Sequence, residues 1–289
     1  MKTNNPMQLK AFVKRKAEKA GLPSHFAMQT YMMERFLERI SLSEYKTQLV
    51  IKGGFLISAM IGLDMRATMD MDATIIHAPL TVEIVNKIID KVLAVKIDDD
   101  ISFTIKSISD IRKSDEYSGF RVSLVGGYPP IAQPLTIDIT AGDKITPREV
   151  EFMYPLTFEE RSIPILAYNT ETLFAEKLET IISRGISTTR PRDFYDIYML
   201  WKIEHSKIDI TTLHNALTAT CENRKSANNV NDWRNRLTDI KANSSLKSYW
   251  EKYRREFTYA KDIEFEATCD VIGEILELIK GRIMSTDIT

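Results

Sequence analysis

Cysteine is scarce in this 289-residue chain. Two thiols, Cys221 and Cys269, cannot build a disulfide scaffold; they read as small core hydrophobes in a protein of the reducing cytoplasm. Glycine and proline are also few, 11 and 10, which excludes collagen and a disordered linker protein. No run reaches 18 apolar residues, so neither a membrane span nor a membrane partner is expected. Met1–Lys19 carries Lys2, Lys10, Lys14, Arg15, Lys16 and Lys19 with no apolar segment, unlike a secretory signal. An excess of one charge is missing as well: 39 Lys and Arg stand against 40 Asp and Glu, which excludes a histone-like polycation.

Several catalytic signatures are absent too. Without Gly-x-x-x-x-Gly-Lys-Ser/Thr the chain is not a P-loop ATPase. The four histidines, His25, His77, His205 and His214, have no metal-ligand spacing with cysteine, so zinc is not indicated. No Gly-x-Ser-x-Gly elbow supports a serine hydrolase.

What is present is an ordinary globular composition, 44% hydrophobic, long enough for about two domains. Residues 1–48 read as helical, with Met33, Phe36, Leu37 and Ile40 on one buried face. Short β-rich runs follow at Leu49–Ile51, Met71–Ile76, Ile101–Ile105, Phe120–Val125 and Leu135–Thr140, with helical stretches near Phe55–Gly62 and Val82–Val95. That alternation predicts a mixed sheet with helices packed on it. Residues 146–170, with Pro147, Pro155 and Pro164, read as a connector, and the pattern from Thr172 onward is helical. Ser226, Asn228, Asn229 and Asn231 are expected in a polar loop. The reading is an α/β (α+β) chain: residues 1–168 a catalytic domain with a mixed sheet, residues 169–289 a C-terminal helical domain. The net charge of −1 conceals +5 in residues 1–49, +4 in residues 222–256 and about −10 elsewhere. Basic ends around an acidic middle suit a chain that gathers carboxylates for a metal and meets a polyanion at its flanks, although solvated helix faces give the same pattern.

The chemistry-bearing stretch is Val50-Ile51-Lys52-Gly53-Gly54-Phe55-Leu56, then Arg66-Ala67-Thr68-Met69-Asp70-Met71-Asp72. Two glycines where a strand enters a helix let backbone approach an anion closely, and the helix start offers free N–H groups. Asp70 and Asp72, two apart on a strand, project from one face. Such a pair is unfavourable unless it shares a cation, and oxygen-only ligands suit Mg²⁺. Asp138, inside Leu135–Thr140, is either an exposed-face residue or a third ligand. Further on, Lys177 follows Glu176 on a helix, and Asp193 and Asp196 are neighbours on another. Alone, these fit a snorkelling lysine and two acids facing a helix dipole.

In order along the chain, Lys-Gly-Gly, Arg-x-x-x-Asp-x-Asp, Tyr117-Ser118-Gly119-Phe120-Arg121, Ile-Asp-Ile, Glu-Lys-Leu and Arg-Asp-Phe-Tyr-Asp-Ile resemble the AbiEii family. These are toxins of type IV toxin–antitoxin systems, similar to the MenT toxins and placed in the DNA polymerase beta-like nucleotidyltransferase superfamily. The resemblance spans roughly residues 50–200. It implies a nucleotidyltransferase fold, with Asp70 and Asp72 on two metal ions and Asp138 on the ion nearer the acceptor. Gly53 and Gly54 would form the phosphate loop, with Lys52, Arg66, Lys177 and Arg192 completing the nucleotide-binding set. Asp193, or else Asp196, would be the further acid needed for toxicity. Mg²⁺, an NTP donor (GTP or CTP), an RNA acceptor, first of all tRNA, and a separately encoded antitoxin are implied with it. Gly53-Gly54 stands where many relatives have Gly-Ser, which removes a hydroxyl. Trp233, Trp250, Tyr253 and Tyr259, interleaved with Arg234, Arg236, Arg254 and Arg255, would either stack RNA bases or pack a core. Two rival readings share the site: a GTP-binding regulator without turnover, and a small-molecule transferase of the aminoglycoside-modifying kind.

Overall fold

In the computed structural model, which describes residues 5–19, 21–62, 65–66, 68–111 and 119–286, the N-terminal stretch forms helices α1 (Pro6–Lys19) and α2 (Ser24–Leu42). A sheet region follows: β1 (Leu49–Lys52), α3 (Gly53–Ile61), β2 (Asp70–Ile75), α4 (Val82–Leu93), β3 (Ser102–Ile111), β4 (Gly119–Tyr128), β5 (Ile131–Ala141), β6 (Val150–Pro155) and β7 (Ser162–Ala167). The rest is helical: α5 (Thr170–Arg184), α6 (Pro191–Glu204), α7 (Ile210–Asn223), α8 (Ala227–Asn231), α9 (Trp233–Ala242), α10 (Ser244–Glu256) and α11 (Phe265–Thr286). The chain divides into two units, residues 1–142 with 150–167, and residues 143–149 with 168–289.

In the first unit the strands form one mixed sheet in the order β3-β4-β5-β2-β1-β7-β6. β2 runs parallel to β5 and β1 parallel to β7, while the other neighbours are antiparallel. The five β-rich runs read from the sequence are all strands. The expected connector is not a connector throughout. Val150–Pro155 and Ser162–Ala167 pair as β6 and β7, with Pro155 at a strand end and Pro164 opposite Met153 on the next strand. Proline is tolerated at such places because a strand end and an edge pair leave ladder donors optional.

Alternation sets the two faces. On β5, Leu135, Ile137 and Ile139 are buried, while Thr136 and Asp138 lie on the opposite, half-buried face. On β4, Val122 and Leu124 are buried and Arg121 is exposed. α2 covers the apolar face: a Cβ at Gly126, in line with Val122 and Leu124, would meet Met32 Sδ at 3.1 Å, and Phe36 lies edge-on to Phe103. The carboxylate-bearing residues therefore occupy the other face.

α2 departs from the one-sided burial expected of it. Residues 27–41 are buried all round, including Glu34, Arg35, Glu38 and Arg39. The charges persist because they are paired. Arg39 donates to both oxygens of Asp99 at 2.9 Å and to the Ile101 carbonyl, and Arg35 and Arg161 bridge Glu38 and Glu159. Glu34 accepts the Thr157 N–H at 2.8 Å; burial pushes its carboxyl up to about 7 despite that bond and Arg35.

In the second unit, α5 begins at an Asn169 cap, whose side-chain oxygen accepts the Thr172 N–H. Its amide donates to the carbonyls of Thr146 and Arg148, which ties residues 143–149 to the helices. Ile272, Ile275, Leu276 and Ile279 are buried along α11, as their spacing predicts. The expected polar loop contains the five-residue helix α8; Ser226 N–H is bonded to the Cys221 carbonyl and Ser226 itself is buried.

Candidate active site

The first unit sets four charged residues in one row. In register across neighbouring strands stand Lys52 on β1, Asp72 on β2, Asp138 on β5 and Arg121 on β4. Directly paired residues project to the same face, so the row reads cation, carboxylate, carboxylate, cation. Asp70 lies two residues before Asp72 and shares its face, with the buried Met71 between them pointing into the core. Gln29 of α2 donates to the Met69 carbonyl and so anchors the chain just before Asp70.

Gly53 is required here for two reasons. Its φ of 66° is left-handed, and a Cβ would sit 2.9 Å from Asp72 Cγ. The strand-to-helix turn at Lys52–Gly53 thus passes against the Asp72 carboxylate with no room for a side chain. Gly54 is equally tight: a Cβ would lie 2.6 Å from Arg66 Nη2 and 3.3 Å from Thr68 Oγ1. Arg66 and Lys52 are both buried. The Arg66 guanidinium lies against Gly54, while Lys52 ends the row beside Asp72.

Asp138 faces Arg121. Arg121 Nε donates to Oδ1 at 2.8 Å and Nη2 to Oδ2 at 2.7 Å, a bidentate pair. The hydrogen bonds to Asp138 raise the Arg121 pKa; burial opposes this, and the charges of Asp138, Asp70 and Asp72 add to the rise. Arg121 is itself about half exposed. Among the described residues, no three His, Cys, Asp or Glu side chains gather as a ready-made metal cluster. Asp70 and Asp72, an oxygen-only pair on one face, fit an ion such as Mg²⁺ that binds one or two carboxylates and keeps its waters. Asp138 stands beside that pair with both oxygens engaged by Arg121.

The second unit buries a different constellation. Lys177 on α5 places Nζ 2.9 Å from Asp193 Oδ1 and 2.7 Å from Asp196 Oδ2, both on α6. The acids are 2% and 0% exposed. Arg190, just before α6, approaches Asp193 at 2.9 Å. Burial would lower the Lys177 pKa, but the two carboxylates outweigh it and hold it above the ordinary lysine value. Burial likewise pushes Asp193 up, and Lys177 and Arg190 overcome it to hold the carboxyl below the ordinary range. Arg192 is exposed on the first turn of α6.

The family named Nucleotidyl transferase AbiEii toxin, Type IV TA system, matches residues 35–271, most of the chain. The chain belongs to this family. It is therefore a toxin-family nucleotidyltransferase of the type IV toxin–antitoxin class, whose antitoxin is a separate protein. No protein of curated function matches it. Among solved structures, MenT4, a nucleotidyltransferase toxin of Mycobacterium tuberculosis, is similar with a TM-score of 0.52 at 14% identity, covering 93% of this chain and 98% of its own. A protein of Helicobacter pylori assigned as a nucleotidyltransferase gives 0.51 at 15% identity, covering 92% and 99%. At such identities the likeness is one of fold, and it matches the mixed sheet with helices described above.

For this AbiEii chain, the structure brings Lys52, Gly53, Gly54, Arg66, Asp70, Asp72 and Asp138 onto neighbouring strands and turns of the first unit, and Lys177, Asp193 and Asp196 into one buried cluster of the second. Of the Tyr-x-Gly-x-Arg element, Tyr117 and Ser118 lie outside the described residues. Gly119 opens β4, where a Cβ would meet Ile111 Cγ1 at 2.8 Å. The C-terminal aromatics are packing residues. Trp233, Trp250 and Tyr253 are buried, Trp250 Nε1 donates to the Ile263 carbonyl at 3.0 Å, and Tyr259 packs on Tyr195 and Phe257. Three of their four arginines are engaged, Arg234 with Glu277, Arg254 with Glu251 and Glu264, and Arg236 with the Ile182 and Ser183 carbonyls, while Arg255 is exposed. Arg121 and Arg190 were not singled out from the sequence as site residues. The Arg in Tyr-x-Gly-x-Arg was the available signal for the first; the strand register, which a single sequence does not display, gives it meaning.

Proposed function

We propose that this toxin transfers a nucleotide from an NTP, GTP or CTP, to an RNA acceptor in the cytoplasm, with tRNA the first acceptor to test. The observation that carries the reading is the juxtaposition of Asp70 and Asp72 with the Gly53-Gly54 turn, where a carboxylate pair for a divalent ion adjoins a backbone site for phosphate. The ion, Mg²⁺, would offset the charge of the attacked phosphate and the leaving pyrophosphate. Asp70 and Asp72 would hold it, and Asp138, the third acid beside them, would ligate it or accept the acceptor hydroxyl proton. The acceptor oxygen bonds to the α-phosphorus as the bond to pyrophosphate breaks. The N–H groups at the start of α3 and the glycine turn receive phosphate oxygens. In the second unit Asp193 and Asp196 keep buried Lys177 protonated, and Arg192 is exposed next to Asp193 in sequence.

Support for a polyanionic acceptor rests on α1 rather than on the C-terminal helices. Lys10, Lys14, Arg15, Lys16 and Lys19 are all exposed on that helix, and Glu18 alone opposes them. Such a face suits RNA backbone and disfavours the cationic acceptor of an aminoglycoside-modifying enzyme.

Induced expression of the wild type is expected to arrest growth. Asp70→Asn and Asp72→Asn, each folded by circular dichroism, should relieve the arrest. Full toxicity from either variant contradicts this reading.

A further inference from the structure

Asp138 has two suitors. As the third acid beside Asp70 and Asp72 it is placed to serve the divalent ion, yet both its oxygens already accept from Arg121. The pair is half open to solvent on the Arg121 side. Water reaches the guanidinium on that side, so a divalent ion that gains three carboxylates can displace it. A displaced Arg121 does not leave the site. It stays on β4, on the same sheet face as Asp70, Asp72 and Asp138 and one strand from the acid it leaves. The guanidinium fork matches phosphate as well as it matches carboxylate.

We propose that Arg121 is a two-position residue of this site: it caps Asp138 when the site is empty, and moves to the triphosphate when the divalent ion takes Asp138. The inference rests on the nucleotidyltransferase reading above. It adds a substrate-contacting cation and an order of events, because the ion and the triphosphate become coupled through one side chain. No bond is made or broken in the exchange. A carboxylate trades one cation for another, and the freed cation gains a phosphate partner.

This coupling has a signature that a structural ion pair lacks. Arg121→Gln removes a competitor for Asp138 and also removes a phosphate contact, so the two ligands respond in opposite directions. Mn²⁺ titrated into nucleotide-free protein and followed by electron paramagnetic resonance should bind the variant about fivefold more tightly than the wild type. Inorganic tripolyphosphate titrated calorimetrically at saturating Mn²⁺ should bind it about tenfold more weakly. Arg121→Lys, which keeps the charge and loses the fork, should lie between on both axes; it carries the test should the glutamine variant melt early. Mn²⁺ binding that is unchanged or weaker in Arg121→Gln, or tripolyphosphate binding that is unchanged, overturns the proposal. A wild type that binds no Mn²⁺, or an Asp72→Asn variant that binds it equally well, would instead defeat the nucleotidyltransferase reading on which it rests.

Discussion

Replacing Lys177 with methionine leaves Asp193 and Asp196 buried without the ammonium that lies 2.9 and 2.7 Å from them. Removing one partner from a buried pair costs about 3–5 kcal/mol, because the remaining charge is left without compensation. Arg190 still neutralises part of Asp193, so the lower end of that range is expected. A loss of this size lowers Tm by roughly 10 °C. The pH dependence is the sharper readout. In the wild type, Lys177 is held above its ordinary value, so its contribution is complete at all pH below 10.5. Asp193 is held below its ordinary value, so its contribution is complete above 3.8 and is lost as pH falls through the folded value. Between pH 5 and 8 Lys177 and Asp193 therefore contribute a constant stability. In the methionine variant the sign inverts: two buried carboxyls without a lysine rise in pKa, and acid then restores what neutral pH took away. Urea denaturation at pH 8 and pH 5 should show a deficit that shrinks with acidity, and a further Asp193→Asn change should recover part of it. A deficit below about 1 kcal/mol, or one identical at both pH values, would refute the reasoning.

Gly53→Ala should destabilise by about 1–2 kcal/mol through its left-handed φ and push the Asp72 carboxylate from its place, abolishing growth inhibition; a fully toxic alanine variant would show that Asp72 need not be held there. Glu34→Gln keeps the oxygen that accepts from Thr157 and removes a carboxyl raised to about 7 by burial. The cost of Glu34 appears between pH 4.5 and 7, so the glutamine should gain about 3 kcal/mol more at pH 8 than at pH 5, read from paired denaturation curves. Asp99→Asn breaks the buried bidentate pair with Arg39 and should cost about 3 kcal/mol at neutral pH, with little change in nucleotide binding by calorimetry.

Features that rest on local periodicity were legible in the sequence, and those that rest on register were not. Alternation at Asp70-Met71-Asp72 already placed both acids on one face, and the apolar spacing of Ile272, Ile275, Leu276 and Ile279 named the buried side of α11. The paired glycines marked the strand-to-helix turn, although only the structure shows that Asp72 leaves no space for a Cβ at Gly53. That Arg121 meets Asp138 depends on how β4 lies against β5, which no spacing within either strand encodes. Prolines hid β6 and β7, since a strand that carries proline at an end or beside an edge reads like a loop. The charges of α2 hid its burial, because Glu34, Arg35, Glu38 and Arg39 look solvent-facing until Asp99, Glu159 and Arg161 arrive from distant parts of the chain. The aromatic and arginine run of the C-terminal helices satisfied two patterns at once; the packing of Trp250 and Tyr253 and the ion pairs of Arg234 and Arg254 decide for a core.

The central claim is nucleotide transfer at the Asp70–Asp72 face. It is tested most directly by incubating the protein with total RNA, Mg²⁺ and each α-labelled NTP in turn, beside the Asp72→Asn variant. Label is expected on an RNA species with the wild type and none with the variant. Tight GTP binding with no label on any RNA would contradict it, and would leave a nucleotide-binding regulator in its place.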